Sequence, residues 1–166
     1  MGKLKSFPAD ARLARVTGML RILFHNNGKM SIAEMSRVTN NEVDTLLPQV
    51  NAAETLKLVR VVEDEVIITK LGKEMNENKE AAIKEVSERL KKFEPFHTAY
   101  MLSKERGKFT TQELEEELEK RKIAFHADGE TNKNILNTLL FQWAVYFSIV
   151  DYYGLGGVWV EEKSPQ

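Results

Sequence analysis

A chain of 166 residues, 42% of them hydrophobic, has the size of one ordinary domain or two small ones and enough apolar matter for a core. Its 24 lysines and arginines against 25 aspartates and glutamates leave a formal charge of −1, which excludes long-range attraction of the whole molecule to a polyanion. The absence of cysteine excludes disulfides, thiolate nucleophiles and cysteine-based zinc sites, and it fits a reducing, cytoplasmic setting.

The spacing of Leu13, Val16, Leu20, Leu23 and Phe24 predicts a first helix from about Asp10, as its N-cap, to about His25. Asn26-Asn27-Gly28 ends it, because Asn and Gly tolerate the left-handed cap conformation. Ser31 with Glu34 three residues on is a capping box that opens a short second helix with Ile32, Met35 and Val38 inward. Thr39-Asn40-Asn41 is the turn to a third helix whose expected inner side is Val43, Leu46, Leu47, Val50, Ala53 and Leu56, kinked at Pro48. Two strand-like runs, 59–62 and 66–69, flank Glu63-Asp64-Glu65 as a hairpin. Thr69 caps a fourth helix carrying Ile83, Val86, Leu90 and Phe93 on one side, and Glu94-Pro95 breaks it.

The same order then returns. A helix over 97–105 closes at Gly107, Thr110 with Glu113 forms a second capping box, and a loop at 123–130 contains Asp128-Gly129. Thr131 opens a long helix, and strands at 150–153 and 158–161 surround Gly154-Leu155-Gly156-Gly157. The expected fold is mainly α with small β-hairpin wings: tandem winged-helix-like units at 1–75 and 96–166, joined by a linking helix at 76–95. The longest apolar run, 139–150, is interrupted by Gln142 and Ser148 and is shorter than the roughly 20 residues needed to cross a bilayer, so no membrane insertion is expected.

Catalytic signals are weak. His25, His97 and His126 have no metal-ligand spacing, and Gly28-Lys29 and Gly107-Lys108 lack the upstream glycine of a phosphate loop. Gly154-x-Gly156-Gly157 ends the chain instead of linking a strand to a helix. The expectation is therefore no enzyme, no cofactor and no metal.

A helix-turn-helix invites a DNA reading, with Asn41, Gln49 and Lys57 on the third helix as donors and Arg12 and Arg15 on a basic N-terminal edge that also holds Lys3, Lys5, Arg21 and Lys29. Charge opposes it. Glu42, Asp44 and Glu54, with the hairpin tip Glu63-Asp64-Glu65, would all face phosphate. A DNA-binding regulator is thus the alternative, and protein–protein contact the leading expectation. In the second unit, TNKNILNTLLFQWAVYFSIV is apolar nearly all round and must be covered, either within the chain or by a partner. For the second case, Trp143, Tyr146, Phe147, Tyr152 and Trp159 are candidate anchors for a protein partner or a homodimer.

FPADARLARVTGMLRIL, then KMSIAEMSRVTNNEVDTLLPQVNAAETLKLVRVVEDEVIITKLGKEM and a weaker close FQWAVYFSIVDYY, resemble the C-terminal AAA-associated domain, most strongly over residues 7–75. That domain follows the ATP-binding cassette of nitrate/sulfonate/bicarbonate-type ABC transporter ATPases. The resemblance implies a non-catalytic appendage beside an ATPase. This sequence carries no Walker motif and no signature loop, so the expectation is a free-standing copy that docks on such an ATPase in trans, regulates another process or has turned to DNA.

Overall fold

The computed structural model describes residues 4–127 and 129–162; Lys3 of the basic edge and Asp128 of the expected loop lie outside them. The protein is mainly helical with two small antiparallel sheets, each of three strands. It divides into two compact units: residues 10–86, and a second formed by residues 1–9 together with 87–166. The boundary thus falls inside one helix, between Val86 and Ser87, and residues 4–9 belong with the C-terminal half.

The first unit starts with α1 (Leu13–His25). Val16, Leu20 and Leu23 are buried as their spacing predicts, and Met19 joins them, whereas Phe24 is exposed. Arg12 and not Asp10 holds the N-cap position, with no side-chain cap, so the helix begins two residues later than expected. Asn27 and Gly28 take positive φ of 61° and 86°, and the Gly28 amide donates to the Leu23 carbonyl at 2.8 Å, which stops the helix. The chain passes straight into β1 (Lys29–Ser31), a strand too short to show a period in the sequence. Ser31 then caps α2 (Ile32–Thr39), its hydroxyl accepting from the Glu34 amide at 3.1 Å.

Asn40, in the left-handed region, turns the chain into α3 (Val43–Thr55), which runs through Pro48 as one helix although proline donates no backbone bond there. β2 (Val59–Val62) and β3 (Glu65–Ile68) form the expected hairpin, and β3 lies in the middle because β1 adds to its other edge. Positive φ at Glu63 makes the two-residue turn.

Thr69 caps α4 (Lys70–Asn76): its hydroxyl accepts from the Gly72 amide and donates to the Lys57 carbonyl at 2.7 Å. Gly72 sits at the tightest approach in the unit. A Cβ there would collide with the Leu58 carbonyl oxygen and stand 2.7 Å from Ile68 Cγ1. The expected long fourth helix is corrected here. It is two helices, α4 and α5 (Glu80–Leu90), parted at 77–79 where Asn78 takes φ 55°. The apolar period continues across the break, which hides it from a pattern reading.

The second unit repeats the plan of the first, element by element. α6 (Phe96–Arg106) ends at Gly107 with φ 75° and is followed by a two-residue strand β4 (Lys108–Phe109). α7 (Thr111–Lys120) carries a complete capping box between Thr110 and Glu113. α8 (Asn132–Leu139) runs on as a π-helical segment, Leu140–Ala144, instead of one long α-helix. β5 (Val150–Tyr153) and β6 (Val158–Glu161) close the unit, with β6 central between β4 and β5. In both sheets the middle strand is the second arm of the hairpin and the outer partner is a short strand preceding the second helix.

Residues 5–7 are stitched to this unit by backbone bonds. The Glu94 amide donates to the Lys5 carbonyl at 2.9 Å, and the Phe7 amide donates to the Glu94 carbonyl at 2.8 Å. Glu94, buried, accepts from the Thr98 amide and hydroxyl at 2.9 and 2.8 Å and lies 4.0 Å from the Arg121 guanidinium. These bonds satisfy a carboxylate that would otherwise be costly to bury. The clip delivers Phe7 into the core, with its ring 4.8 Å from Trp143 and 5.3 Å from Phe96.

Candidate functional site

In the first unit the outward face of α3 presents Val43 and Leu47, 41% and 44% exposed, then Asn51 and Glu54, at steps of four, four and three residues. Val43, Leu47 and also Val38 of α2 (55% exposed) were expected inward; they face solvent instead. Leu46, Val50, Ala53 and Leu56 already fill the inner stripe, and Val43 and Leu47 lie outside it. Carboxylates flank the apolar strip: Glu42 and Asp44 at its start, Glu54 at its end, all exposed, with Glu63 and Asp64 exposed at the hairpin turn.

The five DNA-contact candidates do not form one donor surface. Gln49 is only 2% exposed, and its amide is occupied within the unit. Its Oε1 accepts from the Arg12 amide at 2.8 Å and its Nε2 donates to the Asp10 carbonyl at 2.9 Å. It ties the entry of α1 to α3 and is unable to read a base. Arg12 is half-buried and donates from its guanidinium to the Ala11 carbonyl at 3.2 Å. Arg15 is exposed; Asn41 is half-buried, its carbonyl accepting from the Ser36 hydroxyl at 2.6 Å. Lys57 is exposed beyond the end of α3, at φ 64°. Arg12, Arg15 and Gln49 share the wall of one cleft of about 320 Å³; Asn41 lines a neighbouring recess, and Lys57 lines neither.

The Gln49 clamp makes a prediction. Gln49→Leu strands the Arg12 amide and is expected to destabilise the first unit by about 1–3 kcal/mol in urea unfolding. A residue that only read bases would leave the unfolding midpoint where it is.

In the second unit the aromatic anchors separate into two groups. Trp143, Phe147 and Trp159 are buried and are core residues, not surface anchors. Trp159 Nε1 donates to the Thr111 hydroxyl at 2.9 Å, which donates in turn to Asn137 Oδ1 at 2.6 Å. Tyr146 and Tyr152 remain outside, 44% and 37% exposed. Phe141, which the sequence reading did not single out, is exposed and packs 4.7 Å from the Tyr152 ring and 4.6 Å from Trp159. Tyr153 is exposed in β5, and Leu155 at the hairpin tip is 92% exposed. The sequence signal for this surface was the uncharged run YYGLGGVW, since a glycine-rich turn cannot itself cover its apolar neighbours.

At the far end of the same sheet, Arg106, Lys108, Asp151 and Glu161 line a cleft of about 630 Å³. The hydrogen bond from Lys104 to Glu161, 3.1 Å long, raises the Lys104 ammonium above its ordinary value, and burial followed by the nearby Asp151 charge raises the Glu162 carboxyl. No group of three or more His, Asp or Glu among the described residues could hold a metal ion. No helix among them is long and apolar enough to cross a membrane.

The family model described as the C-terminal AAA-associated domain matches residues 33–153, which takes in both units from α2 to β5. The chain belongs to that family. No curated protein and no solved structure matches it.

Within the matched span of this AAA-associated domain, several residues have evident structural roles. Ala52 and Ala53 of the Ala-Ala-Glu run are fully buried, and in Thr69-Lys70-Leu71-Gly72 the threonine caps α4 while the glycine allows the close approach to Leu58. They place the chain in an accessory family and say little about what it touches.

Proposed function

We propose that this AAA-associated domain is a non-catalytic, winged-helix interaction module that docks on an ATPase of the ABC transporter type, using the exposed aromatic surface of its second unit. The observation that carries the reading is the pairing of Phe141 with Tyr152 at 4.7 Å, both exposed, continued by Tyr153 and by Leu155 at the tip. Aromatic side chains that bury much area with few rotors are the usual anchors of protein interfaces. Membership of an AAA-associated family supports an ATPase as the partner. The acidic and apolar exterior of α3, together with the occupied Gln49, argues for protein contact over duplex DNA on the first unit as well.

The test uses the full chain and purified ABC-type ATPase subunits from its own genome, mixed in analytical ultracentrifugation. A complex is expected with one of them. Leu155→Ser and Tyr152→Ala should each weaken it by about tenfold or more, as loss of an interface anchor does. Light scattering on the chain alone separates self-association from docking. Absence of any complex, coupled with duplex DNA binding at about 50 mM salt that falls steeply by 200 mM, would overturn the proposal in favour of a DNA-binding regulator.

A further inference from the structure

We infer that the first unit binds an apolar α-amino acid between α1 and the helix pair α2–α3. Two recesses open there side by side. One, of about 160 Å³, is apolar, with Gly18, Met19, Ile22, Met35 and Leu46 in its wall. The other, of about 320 Å³, is polar and carries both signs of charge: Asp10, Arg12 and Asp44. Arg15, Thr45 and Gln49 line both, so the recesses share a wall and an arginine stands at their junction.

Gly18 is the first sign that the apolar recess is kept open. A glycine inside a helix costs about 1 kcal/mol relative to alanine. Here it has no local justification, because a Cβ at Gly18 would meet no atom within 4 Å. The contrast with Gly72 is direct, since there packing demands the missing side chain. The space that Gly18 leaves is the recess itself. A cavity of about 150 Å³ is enough for benzene, so leucine, methionine and phenylalanine side chains are of the right size.

The charges are the second sign. The side chains of Asp10, Arg15 and Asp44 have no hydrogen-bond or ion-pair partner among the described residues. An arginine at the mouth of an apolar recess suits a carboxylate, which it can bind through two parallel N–H donors. The aspartates suit an ammonium. A molecule with a carboxylate, an ammonium and one apolar branch on the same carbon fits all three features, and a ligand with one charge leaves part of the cleft unmatched. Small-molecule sites commonly have this make-up, an apolar pocket with a few converging polar groups. The inference goes beyond docking and does not rest on it.

Calorimetry and methyl-region NMR on the full chain test it with L-leucine, L-methionine and L-phenylalanine as probes. Saturable binding is expected, with shifts at Met19 and Met35. Removing one charge should weaken binding about tenfold or more, so 4-methylpentanoate and isopentylamine should each fall well behind leucine, and glycine should not bind. Gly18→Leu fills the recess and should abolish binding, with its thermal melt recording that it folds. Arg15→Gln, a surface change, should weaken leucine and 4-methylpentanoate while leaving isopentylamine unaffected. The inference is overturned if no apolar amino acid binds at about 10 mM, a concentration that detects even millimolar affinity. It is equally overturned if 4-methylpentanoate matches leucine, or if Arg15→Gln or a folded Gly18→Leu binds leucine as the parent does. None of these results bears on the ATPase complex, which is measured without added amino acid.

Discussion

Trp143→Ala is expected to remove about 3–5 kcal/mol from the second unit, the range for truncating a fully buried large aromatic. The indole is completely buried, 4.8 Å from Phe7 and stacked at 6.1 Å over Phe147, and Phe7 in turn abuts Phe96. Phe7 comes from the N-terminal clip, so it cannot follow the shrinking side chain without straining its backbone bonds to Glu94. The cavity should therefore stay largely open, which puts the loss toward the upper end. A domain is stable by only about 5–15 kcal/mol, so the variant should be partly unfolded at moderate urea. Tyr146→Ala, three residues along and half-exposed, is the comparison. If both variants shift the urea midpoint equally, the assignment of Trp143 to the core is wrong.

Gly72→Ala is expected to be as damaging in the first unit as Trp143→Ala is in the second, although it adds a single methyl group. Overpacking typically costs about 1–3 kcal/mol and occasionally more, and the high end applies when the obstacle is backbone. The obstacle here is the Leu58 carbonyl, at the corner between α3 and β2. That carbonyl is also held in place, because it accepts from the Thr69 amide at 3.0 Å. Relief would require α4 to move and break its own cap. The measurement is thermal unfolding of Gly72→Ala beside Gly18→Ala. The first should fall by several degrees, whereas the second should rise, because a glycine in an open helix position becomes alanine at a gain of about 1 kcal/mol. Two shifts of the same sign would contradict this account of the helix glycines.

Local chemistry made much of this fold readable. Ser31 and Thr110 announce their helices because a hydroxyl three residues before a glutamate satisfies end-of-helix amides, and the hairpin strands β2, β5 and β6 follow from β-branched and aromatic runs around obvious turns. What stayed hidden depends on distant partners. β1 and β4 are strands only because β3 and β6 lie beside them. Gln49 reads as a surface donor until Asp10 and Arg12, 39 and 37 residues away in sequence, are seen to occupy it. Val43 and Leu47 match a helical stripe as well as their buried neighbours do, and only the packed core decides which of them faces in. The aromatic surface was half legible. The sequence marks the residues as large and apolar, yet it cannot separate Trp143, which is fully buried beneath the Phe7 ring, from Phe141, which stays 48% exposed.

The N-terminal clip has a consequence for how the chain is made. Phe7 leaves the ribosome early, but Trp143, against which it packs, follows more than a hundred residues behind. Residues 10–86 have all their own strands and helices by then and are free to mature first, while the opening segment waits with a greasy ring exposed. Fusing a bulky tag close to Ser6, or trimming back past Phe7, would accordingly harm a half of the protein whose main body lies at the opposite end of the gene.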